Sequence, residues 1–228
     1  MSKFQVESYP LKPYEFSSHT LVSQIIRGAG QQILDIGCGS GTIEEITDAR
    51  NNSFIGIDCI EPEKNQDRFK EFIIQDLEDG LPITKLKGRG FDYILLLDIL
   101  EHLKNHTKLL QDVHQIADPD TKIIISVPNI ANIYIRLSLL LGRFEYADRG
   151  TLDRTHLRFF TRSSFRRWVR DNHFVIEKQI YTNLPINEIL KRRKSGLFLK
   201  VINHILHFFT NIFSGLLAYQ LILVVKKK

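Results

Sequence analysis

Residues 33–41 read Ile33-Leu34-Asp35-Ile36-Gly37-Cys38-Gly39-Ser40-Gly41, a branched apolar run that ends in three alternating glycines. An apolar run of this kind reads as a buried strand, and glycines let the following backbone turn sharply and let a ligand approach closely. A dinucleotide fingerprint requires Gly-x-Gly-x-x-Gly. Here the third glycine comes one residue early, Thr42 stands where that glycine would be, and an acid, Asp35, precedes the first.

Working outward, Gln32–Ile36, Ser53–Asp58, Phe72–Gln75, Phe91–Leu97 and Lys122–Val127 read as strands, and their lack of strict alternation suits burial on both faces. Gly41–Arg50, Pro62–Lys70 and Asn105–Ala117 read as intervening helices. Repeated strand–helix–strand order predicts an α/β fold, a doubly wound, mostly parallel sheet with helices on both faces. Ligands bind such sheets at the carboxyl ends of the strands. Thr161–Asp171 follows as a helix capped by Thr161, then Phe174–Ile180 and Leu216–Val225 as two more strands, with an amphipathic stretch over 186–213 between them.

Two acids extend the glycine signal. Asp58 ends the second strand, where a carboxylate can accept from both hydroxyls of a ribose. Asp76 ends the third, placed to accept from an adenine amino group. As a set these motifs resemble the class I S-adenosylmethionine-dependent methyltransferases. The resemblance rests on LDIGCGSG, GIDCIEP, QDLEDGLP and FDYILLLDILEHL and covers roughly residues 31–180. It implies S-adenosylmethionine as cofactor, with Asp35, Gly37, Gly39 and Gly41 near the methionine part, Asp58 at the ribose and Asp76 at the adenine. It also implies a Rossmann-like seven-stranded sheet with an antiparallel last strand, 186–213 being an insertion in the last hairpin. Cys38 and Cys59 follow binding-loop positions and read best as small buried thiols.

Methyl transfer needs an aligned acceptor and, for a hydroxyl, help in removing its proton. After the fourth strand, beside the glycine loop, come Asp98, Glu101 and His102. Their i, i+3, i+4 spacing places them on one helical face. A second histidine, His156, lies in Asp153-Arg154-Thr155-His156-Leu157-Arg158-Phe159-Phe160-Thr161. Asp98 is therefore expected near the cofactor, and Asp98, Glu101, His102 and His156 are candidates for holding Mg²⁺ or Mn²⁺. His156 and His102 are the catalytic candidates, and the metal-free alternative has Glu101 and His102 capping or bracing the fold with His156 as general base. The acid-x-x-Glu-His piece resembles the ubiquinone-pathway O-methyltransferases, and the later histidine phrase also resembles the small-RNA 2′-O-methyltransferases, although Asp98 stands where those have Glu. The phrases from Arg136 to Tyr146, from Leu152 to Thr161 and Leu217-Ala218-Tyr219-Gln220 resemble bacterial methyltransferases found with surface-polysaccharide genes. That resemblance implies a sugar or glycolipid hydroxyl as acceptor. A quinone-like phenol is the alternative acceptor, and a non-catalytic cofactor-binding scaffold the alternative of another class.

The organisation expected is an N-terminal helical segment over 1–30, a cofactor core over 31–180 with an acceptor lid at 129–160, and a basic amphipathic helix with the final strand over 181–228. In the lid, Arg143, Arg149, Arg154 and Arg158 are available to acidic groups of an acceptor, and Phe144, Tyr146, Phe159 and Phe160 to a ring.

The 228 residues carry a formal net charge of +5, with 43% hydrophobic and 25% charged residues, the balance of a globular protein. Two cysteines exclude a disulfide framework. The charge is a gradient: −7 over residues 1–135, +5 over 136–180 and +7 over 181–228. An anionic acceptor or lipid surface should thus meet the second half, and 186–213, with Lys191–Lys194 and Lys200, suits either the interface of an anionic membrane or, as a helix with a solvated basic end, packing in the core or in a homodimer. Nucleic acid is a minor option. No signal-peptide pattern is present in 1–30 and 197–225 is too interrupted to span a bilayer, so the expected location is cytoplasmic, peripheral on the inner membrane face.

Overall fold

The computed structural model describes residues 15–47, 52–62, 66–186 and 196–228. A seven-stranded sheet runs β3-β2-β1-β4-β5-β7-β6, built from β1 (Gln32–Ile36), β2 (Ser53–Asp58), β3 (Phe69–Ile74), β4 (Tyr93–Leu97), β5 (Lys122–Pro128), β6 (Phe174–Tyr181) and β7 (Gln220–Lys227). β1 to β5 pair in parallel, and β7 alone runs against its neighbours β5 and β6. The chain order reverses beside β1, between β1 and β4, and a ligand site is expected over that switch point.

Eight helices among the described residues complete the fold: α1 (Ser18–Ile25), α2 (Thr42–Ile46), α3 (Ile83–Leu86), α4 (His106–Ile116), α5 (Ile133–Leu140), α6 (Arg162–Asp171), α7 (Leu197–Ile212) and α8 (Ser214–Leu217). Both faces of the sheet are covered. Leu34 and Ile36 of β1 join one buried cluster with Leu109 and Val113 of α4 and Phe165 and Val169 of α6. Ile33, one residue out of step, joins the other with Leu21 and Val22 of α1 and Ile43 of α2. This is the period-two consequence of a strand buried on both sides. The cap expected at Thr161 is a full capping box, in which Thr161 and Ser164 accept from each other's backbone amides.

Several expected boundaries change. Pro62–Lys70 holds no α-helix among its described residues: 66–68 is a 3₁₀ turn and β3 begins at Phe69. Gly56 explains this early start, because a Cβ there would lie 2.7 Å from the Phe69 ring, so the ring rests on bare backbone. The helix expected over Gly41–Arg50 covers Thr42–Ile46 with Thr47 as its C-cap, and 48–50 lie outside the described residues. The final strand starts at Gln220 rather than Leu216, since 214–217 coil into α8. Asn129 Nδ2 donates to Ala218 O at 2.9 Å, and Asn132 Nδ2 to Leu217 O at 3.1 Å, which ties this turn to the head of β5. Residues 1–14 and 187–195, and with them Lys191–Lys194, lie outside the described residues.

Candidate active site

The glycine loop joins β1 to α2 at the switch point, with Gly37, Gly39 and Gly41 at φ of 75°, 53° and 69°. Gly37 has no room for a side chain. A Cβ there would meet Ile99 Cγ1 at 2.8 Å, so the loop packs directly on the segment after β4. Gly37→Ala combines that clash with a left-handed backbone costing about 1–2 kcal/mol. Calorimetric titration with S-adenosylhomocysteine should show binding weakened by roughly tenfold or more, and unchanged binding would remove Gly37 from the cofactor loop.

Asp58 stands beside this loop. Its Oδ2 accepts from Gly39 N at 2.8 Å and its Oδ1 from Cys59 N at 2.7 Å, leaving the carboxylate at the strand end next to the glycines. Asp76 caps the 3₁₀ turn Leu77–Asp79, accepting from Glu78 N at 2.9 Å. Cys38 is buried, whereas Cys59 is exposed, which corrects the expectation of two buried thiols. Asp35 is 3% exposed, and its carboxyl is within hydrogen-bond reach of Glu44 in α2, which is fully buried. Burial first, and then Asp58, push Asp35 up to about 7, while Glu44 is held well above its usual range by burial and by Asp35. Both shifts favour the protonated carboxyls.

This pair makes folding pH-dependent. The folded protein keeps on Asp35 a proton that the unfolded chain releases near 3.8, so stability falls as pH rises from about 4 through about 7. Glu44→Gln supplies a neutral donor to Asp35. Denaturant unfolding at pH 8 should then show a gain of about 1–3 kcal/mol and a flatter slope between pH 4 and 7. An unchanged slope would reject the coupling of Asp35 to Glu44.

Asp98, Glu101 and His102 do not share a helical face. Asp98 takes φ of 52°, and residues 100–102 form a 3₁₀ turn, so spacing read for an α-helix misplaces them. Asp98 turns toward the sheet: Ser126 Oγ donates to its Oδ1 at 2.7 Å and Gln220 Nε2 to its Oδ2. The cluster with metal-ligand spacing is Glu101, His102 and His156, whose ligand atoms lie within 4.8 Å of one another, and Asp98 is not part of it. His156 reaches the cluster because Glu101 O accepts from Leu157 N at 2.7 Å and Arg158 N at 3.2 Å. The two imidazoles meet edge to face with centroids 4.8 Å apart.

His156 Nδ1 lies 3.1 Å from Thr151 O. A carbonyl only accepts, so Nδ1 carries the proton and Nε2 a lone pair. Burial lowers the pKa of both histidines, so both are neutral at pH 7. Glu101 is 1% exposed, and neither carboxyl oxygen has a hydrogen-bond partner among the described residues. Burial and Asp98 drive its pKa far upward. Phe160 belongs to the core, while Phe159 stays partly exposed with its ring 6.3 Å from His156. Sequence reading did not assign Ser126, Gln220, Glu44 or Thr155 to the site. Glu44 carried one usable signal, an acid in the first turn after a glycine loop that already holds two acids.

A glycine loop over the switch point, acids at the carboxyl ends of β2 and β3, and a polar cluster after β4 define a Rossmann-like S-adenosylmethionine-dependent methyltransferase. The methyltransferase-domain family profile matches residues 17–179, and the chain belongs to that family. The chain is 23% identical over 189 residues to the ubiquinone biosynthesis O-methyltransferase of Dechloromonas aromatica, covering 77% of each. With the same-named protein of Nitrosococcus oceani it shares 29% over 181 residues, 74% of this chain and 72% of that one. Among solved structures it is similar to the 1,6-didemethyltoxoflavin-N1-methyltransferase of Burkholderia thailandensis, which holds S-adenosylhomocysteine. That likeness has a TM-score of 0.58 at 17% identity and covers 94% of this chain and 80% of that one.

Proposed function

We propose that the protein O-methylates a hydroxyl on a lipid-tailed acceptor, with His156 as general base and His102 beside it. The observation that carries this reading is the pair of neutral imidazoles next to the segment that packs on Gly37, with the His156 Nε2 lone pair open. In the reaction the sulfonium S–CH₃ bond breaks as the O–CH₃ bond forms. The thioether departs with the sulfur electron pair, and the hydroxyl proton passes to His156 Nε2 and then to solvent.

Two observations support a lipid tail. The curated relatives named above act in ubiquinone biosynthesis by name. Both helices rooted at the carboxyl edge of the sheet also expose apolar side chains: Leu140 and Leu141 at the end of α5, and Leu197, Phe198 and Phe208 in α7, are each more than 60% exposed. No helix among the described residues is long and apolar enough to cross a membrane, so these faces suit a peripheral contact with anionic lipid on the cytoplasmic side. Flotation with phosphatidylglycerol vesicles tests this, pairing of two copies through the same faces being the competing outcome.

A phenolic headgroup is favoured by the relatives, and the glycolipid alternative by Arg143, Arg154 and Arg158 exposed on the lid. Incubating membrane extract with labelled S-adenosylmethionine separates the two. Label in a prenylated phenol or in a glycolipid supports the reading and assigns the headgroup, whereas label only in water-soluble metabolites, protein or RNA overturns it.

Glu101, His102 and His156 also fit a divalent cation, because an unpartnered buried carboxyl beside two neutral imidazoles is a donor set in need of a positive charge. Two nitrogens and one oxygen favour Mn²⁺ over Mg²⁺. A bound cation would lower the pKa of the acceptor hydroxyl. If a cation rather than the His156 lone pair activates the hydroxyl, exhaustive chelation abolishes turnover and Mn²⁺ restores it, whereas full activity after chelation leaves His156 as the base.

A further inference from the structure

The lid holds a polar arrangement that the reaction as described does not use. Thr155 Oγ1 lies 2.6 Å from Asp153 Oδ1 and 2.9 Å from His102 Nδ1. The same Asp153 oxygen accepts from Thr155 N at 2.8 Å, and Asp153 is 4% exposed. A threonine hydroxyl has one proton. The carboxylate oxygen already receives one donor and offers only lone pairs, so the hydroxyl proton points to Asp153. Toward His102 the hydroxyl then presents a lone pair, which requires the proton of the neutral imidazole to sit on Nδ1. The sole remaining ring nitrogen, Nε2, is left unprotonated.

From this geometry we infer that Asp153 and Thr155 are positioning residues that fix His102 in the Nδ1–H form, with its Nε2 lone pair available to the reacting hydroxyl or to a cation. The inference rests on the proposed role of His102 in the reaction. Thr151 O does the same for His156, so both rings are set by one lid segment: residues 151–155 orient the two imidazoles identically while contributing no group of their own to the chemistry. The arrangement also gives the lid a function beyond covering the acceptor. Both rings take these orientations with the segment seated on the turn after β4, where Leu157 N and Arg158 N donate to Glu101 O.

The test is Thr155→Val, which keeps the shape and removes the hydroxyl, with Thr155→Ser as the conservative rescue. Nitrogen-15 spectra of the histidine rings should place the His102 proton on Nδ1 in the wild type and in Thr155→Ser, and move it toward Nε2 in Thr155→Val. With acceptor saturating, Thr155→Val should lower kcat by about 10–100-fold, leave KM for S-adenosylmethionine unchanged, and melt as the wild type does. An Nε2–H signal for His102 in the wild type, or an identical Nδ1–H signal in Thr155→Val, overturns the inference. A tautomer shift with full kcat supports the positioning role and instead rejects His102 as a participant in the reaction, so the two readings fail separately.

Discussion

Replacing His156 with alanine is expected to lower kcat by about 10²–10⁴-fold. The residue is positioned for that role by three independent features. Its Nδ1 proton is committed to Thr151 O, its ring is largely buried against His102, and its pKa is depressed by burial, so the base is neutral at physiological pH. The loss should fall on kcat, with S-adenosylhomocysteine affinity unchanged, because the glycine loop follows β1 and Asp58 ends β2, and the hydrogen bonds from Gly39 N and Cys59 N to Asp58 involve no residue of 151–158. The effect on stability should be small beside that on turnover, as the neighbouring lid segment stays pinned through Glu101 O. Turnover equal to the wild type would remove His156 from the reaction, with or without a cation.

Asp58→Ala should produce the converse pattern. The carboxylate is expected to accept from the ribose hydroxyls of the cofactor, and it already orders the loop through Gly39 N. Hydrogen bonds to a charged group are worth about 1.5–3 kcal/mol, so the dissociation constant for S-adenosylhomocysteine should rise roughly 10–150-fold. At saturating cofactor, kcat should recover most of its value. Asp58→Asn, which keeps one acceptor oxygen, should fall between the two. Calorimetry on the three proteins checks the series, and equal affinities would reassign Asp58 to loop bracing alone.

The two predictions separate parts of the site that differ in how far they could be read from sequence. The cofactor side is encoded locally. Asp35, Gly37, Gly39 and Gly41 lie within seven residues, and the strand preceding them fixes their position over the switch point. The acids at 58 and 76 follow from the same rule, since each falls where a strand ends. The core strands were readable for a related reason: two-sided burial demands continuous branched apolar runs, and β1, β4 and β5 have them. β3 was misread at its start because it is an edge strand, with alternating exposure, and its first residue is chosen by the bare backbone of Gly56 on its neighbour.

The acceptor side was readable as a set of residue types and not as a geometry. Asp98, Glu101 and His102 carry the right chemistry, but a left-handed Asp98 followed by a 3₁₀ turn separates it from the Glu101–His102 pair, and Asp98 is captured by Gln220, 122 residues away. Likewise α5 and α7 are apolar enough by sequence to pass for core helices. That many of their side chains remain uncovered depends on what the rest of the chain packs against, which periodicity does not contain.

By itself the sequence determined the α/β class, the positions of most core strands, the glycine loop and the family resemblance, because each depends on residues close together in the chain or on a strand period. The tertiary structure alone decided that Glu101, His102 and His156 form the cluster, that Asp98 does not join it, and that Asp153 and Thr155 orient the His102 ring. The physical reason is that these contacts cross 28 to 122 residues, and at such separations the packing of the lid and the last strand, rather than local spacing, sets where a side chain points.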